Sequence, residues 1–229
     1  MRLNELFESP KKELVSFCFG RMNPPTLGHK EVFDTLKRQG GDYFIYLSKT
    51  QDKKENPLSH DEKVKFVKLI HPEHASHVVE DRSINTVVVA ATDLYNKGYK
   101  NAVFVAGSDR IDSMSKLLTQ YNGVEGKGHV YYKFDSLEFV SSGEREDGAQ
   151  GVKGISASRA REKAANGDLE GFAEATGAGQ YSEELYNAVR KGLGINESIE
   201  EGCKYGRYYC STDKKWKCRT GPKQSRKSK

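Results

Sequence analysis

Short runs of almost wholly apolar residues recur along this chain, and each is separated from the next by a segment with helical spacing. Val15-Ser16-Phe17-Cys18-Phe19 comes first, Tyr43-Phe44-Ile45-Tyr46-Leu47 second and Ala102-Val103-Phe104-Val105-Ala106 third. Runs this brief and this uniformly apolar read as strands buried on both faces. Leu27, Val32, Phe33 and Leu36 fit a helix that Gly40-Gly41 ends. Ser59, Asp61 and Glu62 open another, which carries Val64, Phe66, Val67 and Ile70 and closes at Pro72. Further helices are predicted over Thr86–Asn96, Asp109–Tyr121 and about 156–166 and 181–192, with a short strand at Val78-Val79 and a longer one over His129–Phe134. Residues 141–154, SSGEREDGAQGVKG, read as a loop. Strands alternating with helices point to an α/β fold: an open, mostly parallel sheet with helices on both faces. No internal repeat is visible.

The charge is divided unevenly. Residues 203–229 hold ten Lys or Arg against one acid, Asp213, and so carry +9 of a net +5, leaving −4 on the rest. This organisation predicts a polar leader over 1–13, a folded domain over 14–195 and a basic tail over 196–229 that has too few aliphatic residues to build a core of its own. No apolar run approaches the length of a membrane span. The N-terminus lacks the apolar block of a secretory signal. Four cysteines in 229 residues are too sparse for a disulfide framework, so a reducing cytoplasm is the expected compartment.

Two motifs carry chemistry. The first, Gly20-Arg-Met-Asn-Pro-Pro-Thr-Leu-Gly-His29, follows a strand and opens a helix. It therefore stands at the carboxyl end of a strand, where a helix N-terminus offers free N–H groups and a positive dipole end to a ligand. Thr26 and His29 are three apart and can face one ligand, and Gly28 between them lets a flat group approach the backbone. Read alone, such a turn could also be a rigid connector. The stretch resembles the signature of the HxGH nucleotidyltransferase superfamily, with Thr26 where many members have the first His, as some adenylyltransferases do. The Gly20-Arg21 start is similar to archaeal-type nicotinamide-mononucleotide adenylyltransferases.

The second motif, Gly154-Ile155-Ser156-Ala157-Ser158-Arg159-Ala160-Arg161, opens a late helix. It resembles the superfamily's ISxTxxR signature, with Ser158 in place of Thr. Ser156 and Ser158 offer hydroxyls for capping, and Arg159 and Arg161 offer guanidinium donors suited to phosphate. Two weaker likenesses lie between the motifs. Lys49 to Lys63, containing Asn56-Pro57-Leu58-Ser59, looks like the substrate-side loop, although Lys63 stands where many members have Arg. Gly107-Ser108-Asp109 resembles the family's G-x-D element near the nucleotide ribose. The resemblance covers about residues 14–195 and extends to nucleotidyltransferase-like proteins of large tailed phages, for which the compartment would be the host cytoplasm.

The resemblance implies a Rossmann-like fold and transfer of a nucleoside monophosphate from a triphosphate to a phosphorylated acceptor, with release of pyrophosphate. Thr26 and His29 would then stabilise the α-phosphate, and Arg161 the departing pyrophosphate. Gly20, Arg21, Gly28, Gly107, Asp109, Ile155, Ser156, Ser158 and Arg159 would bind the nucleotide. Lys49, Asn56 and Lys63 would lie on the acceptor side, and Lys30 would assist. Mg²⁺ would arrive with the triphosphate, because no carboxylate cage is visible. ATP with nicotinamide mononucleotide is the favoured pair. CTP, or a binding protein that kept the fold without the catalysis, is the alternative, and homo-oligomers are compatible with either.

His71, His74 and His77 read as a solvated connector rather than a zinc site, because Pro72 interrupts a helix there. Cys203, Cys210 and Cys218 lack paired C-x-x-C spacing. Cys18 reads as a core thiol. The tail interleaves Tyr205, Tyr208, Tyr209 and Trp216 with its basic residues, which suits nucleic acid as well as a solubilising extension.

Overall fold

The computed structural model describes residues 13–126, 130–143 and 156–195, and the backbone of 207–210 and 215–218. Strands β1 (Leu14–Gly20), β2 (Asp42–Leu47), β3 (Asn101–Ala106) and β4 (Ser136–Ser141) form one parallel sheet in the order β2-β1-β3-β4. The chain leaves β1 for β2 on one side and returns to β3 on the other. The strand order therefore reverses between β1 and β3, and the carboxyl ends of those two strands diverge there to leave a crevice.

Period-two alternation decides which helix covers which face. Val15, Phe17, Ala102 and Phe104 pack against Val87, Ala90, Ala91 and Leu94 of α3 (Val87–Asn96) and Leu118 of α4 (Ser108–Tyr121). Cys18, Ile45, Val103 and Val105 face the other way. They meet Val32, Phe33 and Leu36 of α1 (Leu27–Arg38) and Val64 and Val67 of α2 (His60–Ile70). The sheet is thus covered on both faces, as the unbroken apolar runs require.

A third cluster gathers α5 (Ala157–Ala165), α6 (Leu169–Thr176) and α7 (Ser182–Gly192) around Phe172, and it takes in Leu58 and Phe66. Two glycines bring this cluster against the elements of the first motif and its neighbouring loop. Gly177 ends α6 at φ +64°, and a Cβ there would fall 2.3 Å from Leu27 Cδ2, at the start of α1. A Cβ on Gly192 would fall 2.1 Å from the Pro57 carbonyl oxygen. Only glycine allows these approaches.

The expected strand over His129–Phe134 is a correction. Residues 127–129 lie outside the described residues, and 130–135 form no strand beyond a single bridge between Asn122 and Tyr132. The fourth strand is Ser136–Ser141. The Tyr132 ring is fully buried, and its hydroxyl donates to the Leu118 carbonyl at 2.7 Å. Asn122 holds the Phe134 backbone at both its N–H and its carbonyl. Aromatics that anchor a connection to α4 mimic the composition of a strand. Of the expected loop over 141–154, Ser141 ends β4 and residues 144–150 and 151–155 are outside the described residues. Val78 makes one parallel bridge to Ile45 rather than a strand.

The histidine segment also differs from its expectation. Pro72–His77 forms a 3₁₀ turn that packs inward, with His71 2% and His74 0% exposed. His74 Nε2 donates to Asp34 at 3.1 Å, so its Nδ1, 3.0 Å from the Tyr43 hydroxyl, accepts. Asp34, Glu73 and His74 bring their ligand-type atoms within 4.8 Å of one another, and the Lys30 ammonium lies beside both acids.

Burial holds the His71 ring down at a pKa of about 4, against the ordinary 6.5. The ring is therefore neutral in the folded protein, while the unfolded chain takes up a proton as pH falls below 6.5. Stability from this group is complete above that pH and is lost progressively down to about 4. Burial lowers His74 and His60 in the same direction. Thermal melts at pH 5 should lie roughly 4–8 °C below those at pH 7, corresponding to about 2 kcal/mol from His71. His71→Leu should flatten that dependence, and an unchanged slope would refute the assignment.

Residues 195–229 cluster as a second compact unit. It contains an antiparallel hairpin of β5 (Arg207–Cys210) and β6 (Lys215–Cys218), where the sequence signals no regular element. Among the described residues, no helix is long and apolar enough to cross a membrane.

Candidate active site

The crevice at the strand-order reversal is lined by the end of β1 (Cys18, Phe19, Gly20), by Val105, Ala106 and Gly107 after β3, and by the start of α5 (Ser156, Ala157, Ser158, Arg161). Arg21, Met22, Asn23, His29, Val32, Glu55, Asn56 and Arg110 complete its wall. Both motifs thus reach one cleft. The N-termini of α1 and α5 both open at it, so two helix first turns and two positive dipole ends serve one space.

The first motif folds as a turn followed by a cap. Met22 adopts φ +44°, a left-handed conformation uncommon for a non-glycine residue, and is 3% exposed. Such conformations persist only where surrounding structure enforces them. Thr26 is the N-cap of α1 and is 1% exposed. Its N–H donates to His29 Nδ1 at 3.0 Å, and its hydroxyl lies 2.9 Å from the same nitrogen. His29 at the third helical position reaches back to the cap as Glu does in a capping box. A backbone N–H can only donate, so Nδ1 carries the lone pair and the ring proton sits on Nε2. The imidazole lining the cleft is therefore held as an Nε2–H donor.

Asn23, which no sequence signal singles out, joins three parts of the site. Its side chain donates to the Leu58 carbonyl at 3.0 Å and accepts from the Leu58 N–H at 2.9 Å. Its own carbonyl accepts from Arg161 Nη1 at 2.7 Å. Arg161 Nη2 also bonds the Ser158 hydroxyl at 3.1 Å. One asparagine thus ties the first motif to the loop before α2 and, through its backbone, to the second motif. In the sequence it sits in an Asn-Pro-Pro step, which reads only as a break. Asn23→Ala would leave both polar groups of Leu58 without a partner in a buried place and should cost about 2–5 kcal/mol. Thermal unfolding would show this as a lowered Tm.

The loop before α2 is internally braced. Asp52 accepts from the N–H groups of Lys54, Glu55 and Asn56 and from the Asn56 amide. The Asn56 amide and those N–H groups hold its carboxyl well below the usual range. Asn56 is 3% exposed and lines the cleft, and its Oδ1 has no hydrogen-bond partner. Glu55 pairs with Arg21 at 2.9 Å across the rim. Both are solvated, so the pair contributes little stability.

Several expected site residues stand elsewhere. Lys63 is fully buried and donates to the carbonyls of Ser48 and Thr50, so it braces the loop from beneath rather than facing a substrate. Burial lowers its pKa to about 8, which leaves it charged at neutral pH. Lys30 turns to Asp34 and Glu73 rather than to the cleft. Thr26 lies against His29 and is not part of the cleft wall. Gly28 in the first turn of α1, Lys49, Asp109 and Arg159 also lie off that wall. Lys49, Asp109 and Arg159 are exposed. The Arg159 N–H caps onto Ser156 Oγ at 3.2 Å. Ile155 lies outside the described residues.

Burial lowers the Arg161 pKa from its ordinary value, an effect opposed by Glu55 and deepened by Arg21. The guanidinium stays charged. Cys18 touches the cleft, but burial pushes its thiol up to about 12, opposed by a backbone bond from Tyr46, so it is no nucleophile. Cys210 and Cys218 sit three rungs apart in the hairpin, on opposite faces by register. That is roughly 10 Å along the strands, too far for a disulfide or a shared ion.

No curated protein matches the chain. Residues 17–163 match the family described as cytidylyltransferase-like. That span begins in β1, ends in α5 and encloses both motifs. It is well over half of the chain, and with both motif helices opening on one cleft the protein belongs to the cytidylyltransferase-like family of the HxGH nucleotidyltransferase superfamily.

Proposed function

We propose that this protein transfers the adenylyl group of ATP to a phosphorylated acceptor, nicotinamide mononucleotide first among the candidates, and releases pyrophosphate. The family supports nucleotidyl transfer in general. The adenylyl choice rests on the Gly20-Arg21 start and the trailing Arg161, which resemble adenylyltransferases more than cytidylyltransferases, against Gly154-Ile155-Ser156, which resembles the G-I-S of cytidylyltransferases. The observation that carries the reading is the bond from Arg161 to the Asn23 carbonyl, which closes 138 residues of chain onto one cleft.

In the proposed reaction an acceptor phosphate oxygen attacks the α-phosphorus in line. The bond from that phosphorus to the bridging oxygen breaks, and pyrophosphate leaves with the bonding electrons. A phosphate monoester is already ionised at neutral pH, so the attack needs no general base. Catalysis comes from positioning and from donors placed where charge develops. His29 Nε2–H donates to an α-phosphate oxygen. Thr26 acts behind it as a positioning residue, fixing the ring's tautomer and direction. Arg161, Ser156 and Ser158 hold the departing phosphates at the N-terminus of α5. Arg21 and Arg110 line the same space.

Among the described residues the cleft wall offers one carboxylate, Glu55, and Arg21 pairs with it. This donor set makes no cage for a divalent cation. Mg²⁺ would be held by the triphosphate oxygens and carried in with the substrate.

The substrate test is a panel. ATP and CTP are each offered with nicotinamide mononucleotide and with other phosphorylated acceptors, and the products are read by mass. A dinucleotide that forms with ATP and nicotinamide mononucleotide supports the proposal. Turnover with CTP alone would replace the adenylyl reading with the cytidylyl one.

A further inference from the structure

The hairpin of the basic tail brings aromatic and basic positions into a definite arrangement. Its register pairs Arg207 with Cys218, Tyr208 with Lys217, Tyr209 with Trp216 and Cys210 with Lys215. Residues directly opposite in an antiparallel pair share a face, and successive pairs alternate. Arg207, Tyr209 and Trp216 therefore fall on one face, and Tyr208, Lys215 and Lys217 on the other. Tyr209 and Trp216 stand directly across from each other inside the ladder. Arg207 stands at one end of the ladder, on the face of the aromatic pair, and Lys215 at the other end, on the opposite face. None of the eight strand residues is acidic. The ladder spans roughly 10 Å, about the length of three bases along one strand.

Composition narrows the partner. Residues 203–229 carry +9 and contain no Val, Ile, Leu, Met or Phe. A surface of this kind has no aliphatic face to enter a lipid bilayer. A duplex would meet the charge but would keep its bases stacked on one another, leaving an aromatic pair without use. Unpaired bases use both features, because every base has a face to stack and every linkage has a phosphate to neutralise.

We infer that this hairpin is a sequence-tolerant binding surface for single-stranded nucleic acid, with Tyr209 and Trp216 as the stacking platform and Arg207, on the same face, set for the phosphates. This inference does not rest on the transfer reaction.

The test uses the full chain and a labelled oligothymidylate, with binding read by anisotropy. Trp216 is the protein's single tryptophan, so quenching of fluorescence excited where tyrosine does not absorb reports on the hairpin. Binding should quench Trp216 and weaken steeply with salt, by a logarithmic slope of about −0.7 per phosphate neutralised. Trp216→Ala should weaken binding roughly tenfold to a hundredfold. Trp216→Phe, which keeps a ring and the strand preference, should restore most of it. Arg207→Gln, on the face of Tyr209 and Trp216, should flatten the salt slope. Equal affinity for a duplex of the same length would overturn the inference in favour of a general polyanion contact. So would undiminished binding by Trp216→Ala, or preference for phosphatidylserine vesicles over the oligonucleotide. Loss of binding by the Trp216→Phe variant as complete as that by Trp216→Ala would also overturn it, by reducing Trp216 to a structural part.

Discussion

His29→Ala should lower kcat by two to three orders of magnitude while leaving the fold intact. Removing one donor placed on developing phosphate charge has an effect of this size. The ring is held ready to donate, because the Thr26 N–H occupies Nδ1 and so fixes the proton on Nε2. Alanine forfeits the reciprocal capping contact with Thr26, a loss of about 1 kcal/mol that lowers Tm by about 2–4 °C. KM for the triphosphate should change far less than kcat, because the donor acts mainly as the phosphorus becomes five-coordinate. Thr26→Val, which keeps the backbone N–H and the branched shape, should lie between the wild type and His29→Ala, since it removes only the hydroxyl beside the ring. Steady-state kinetics beside a thermal melt would check both. Full activity in His29→Ala would remove His29 from the mechanism.

Arg161→Ala should be as damaging and differ in kind. This guanidinium bonds the Asn23 carbonyl and the Ser158 hydroxyl, and it lines the cleft from the N-terminus of α5. Its charge meets the phosphates in the ground state as well as in the transition state. The variant should therefore raise KM for the triphosphate and lower kcat together, reducing kcat/KM by about 10²–10³. It should also release the joint between the two motifs, at about 1.5–3 kcal/mol of stability for a lost charge-assisted bond. Arg161→Lys should recover part of the affinity, because it keeps the charge. It cannot reproduce a fork that reaches two oxygens at once, so kcat should stay low. A variant that alters stability alone would make Arg161 a structural tie.

The parts of the fold visible in the sequence are those where local pattern and burial agree. β1, β2 and β3 are buried on both faces, so their apolar runs stand out, and Ser59 with Glu62 marks the start of α2 by its capping chemistry. β4 is an edge strand with no fully buried position, and Ser136, Glu138 and Ser141 dilute its signal. Tyr132 and Phe134 just before it imitate a strand because they fill the space beneath α4. The histidine turn misleads for a related reason. Pro72 does end a helix, yet a 3₁₀ turn follows and Phe33, Tyr43 and Asp34 receive the rings.

The two motifs are visible in the sequence as residues at set spacings, but which side chains reach the cleft is not. Thr26 and His29 look equivalent in sequence, whereas the cap geometry buries one behind the other. Lys63 looks like a substrate-facing cation until the carbonyls of Ser48 and Thr50 are seen to hold it. Asn23 works through its backbone and through a loop 35 residues away, a tertiary arrangement with no local signature.

Nucleotidyl transfer is best followed through the two ends of one triphosphate. Wild-type protein is given ATP labelled at either the α- or the γ-phosphate, with nicotinamide mononucleotide as acceptor and Mg²⁺ present. The α label should pass to the acceptor while the γ label leaves in pyrophosphate, in equal amounts and only when both substrates are present. Release of the γ label as orthophosphate, or no movement of either label while the triphosphate still binds, would be incompatible with the proposed transfer.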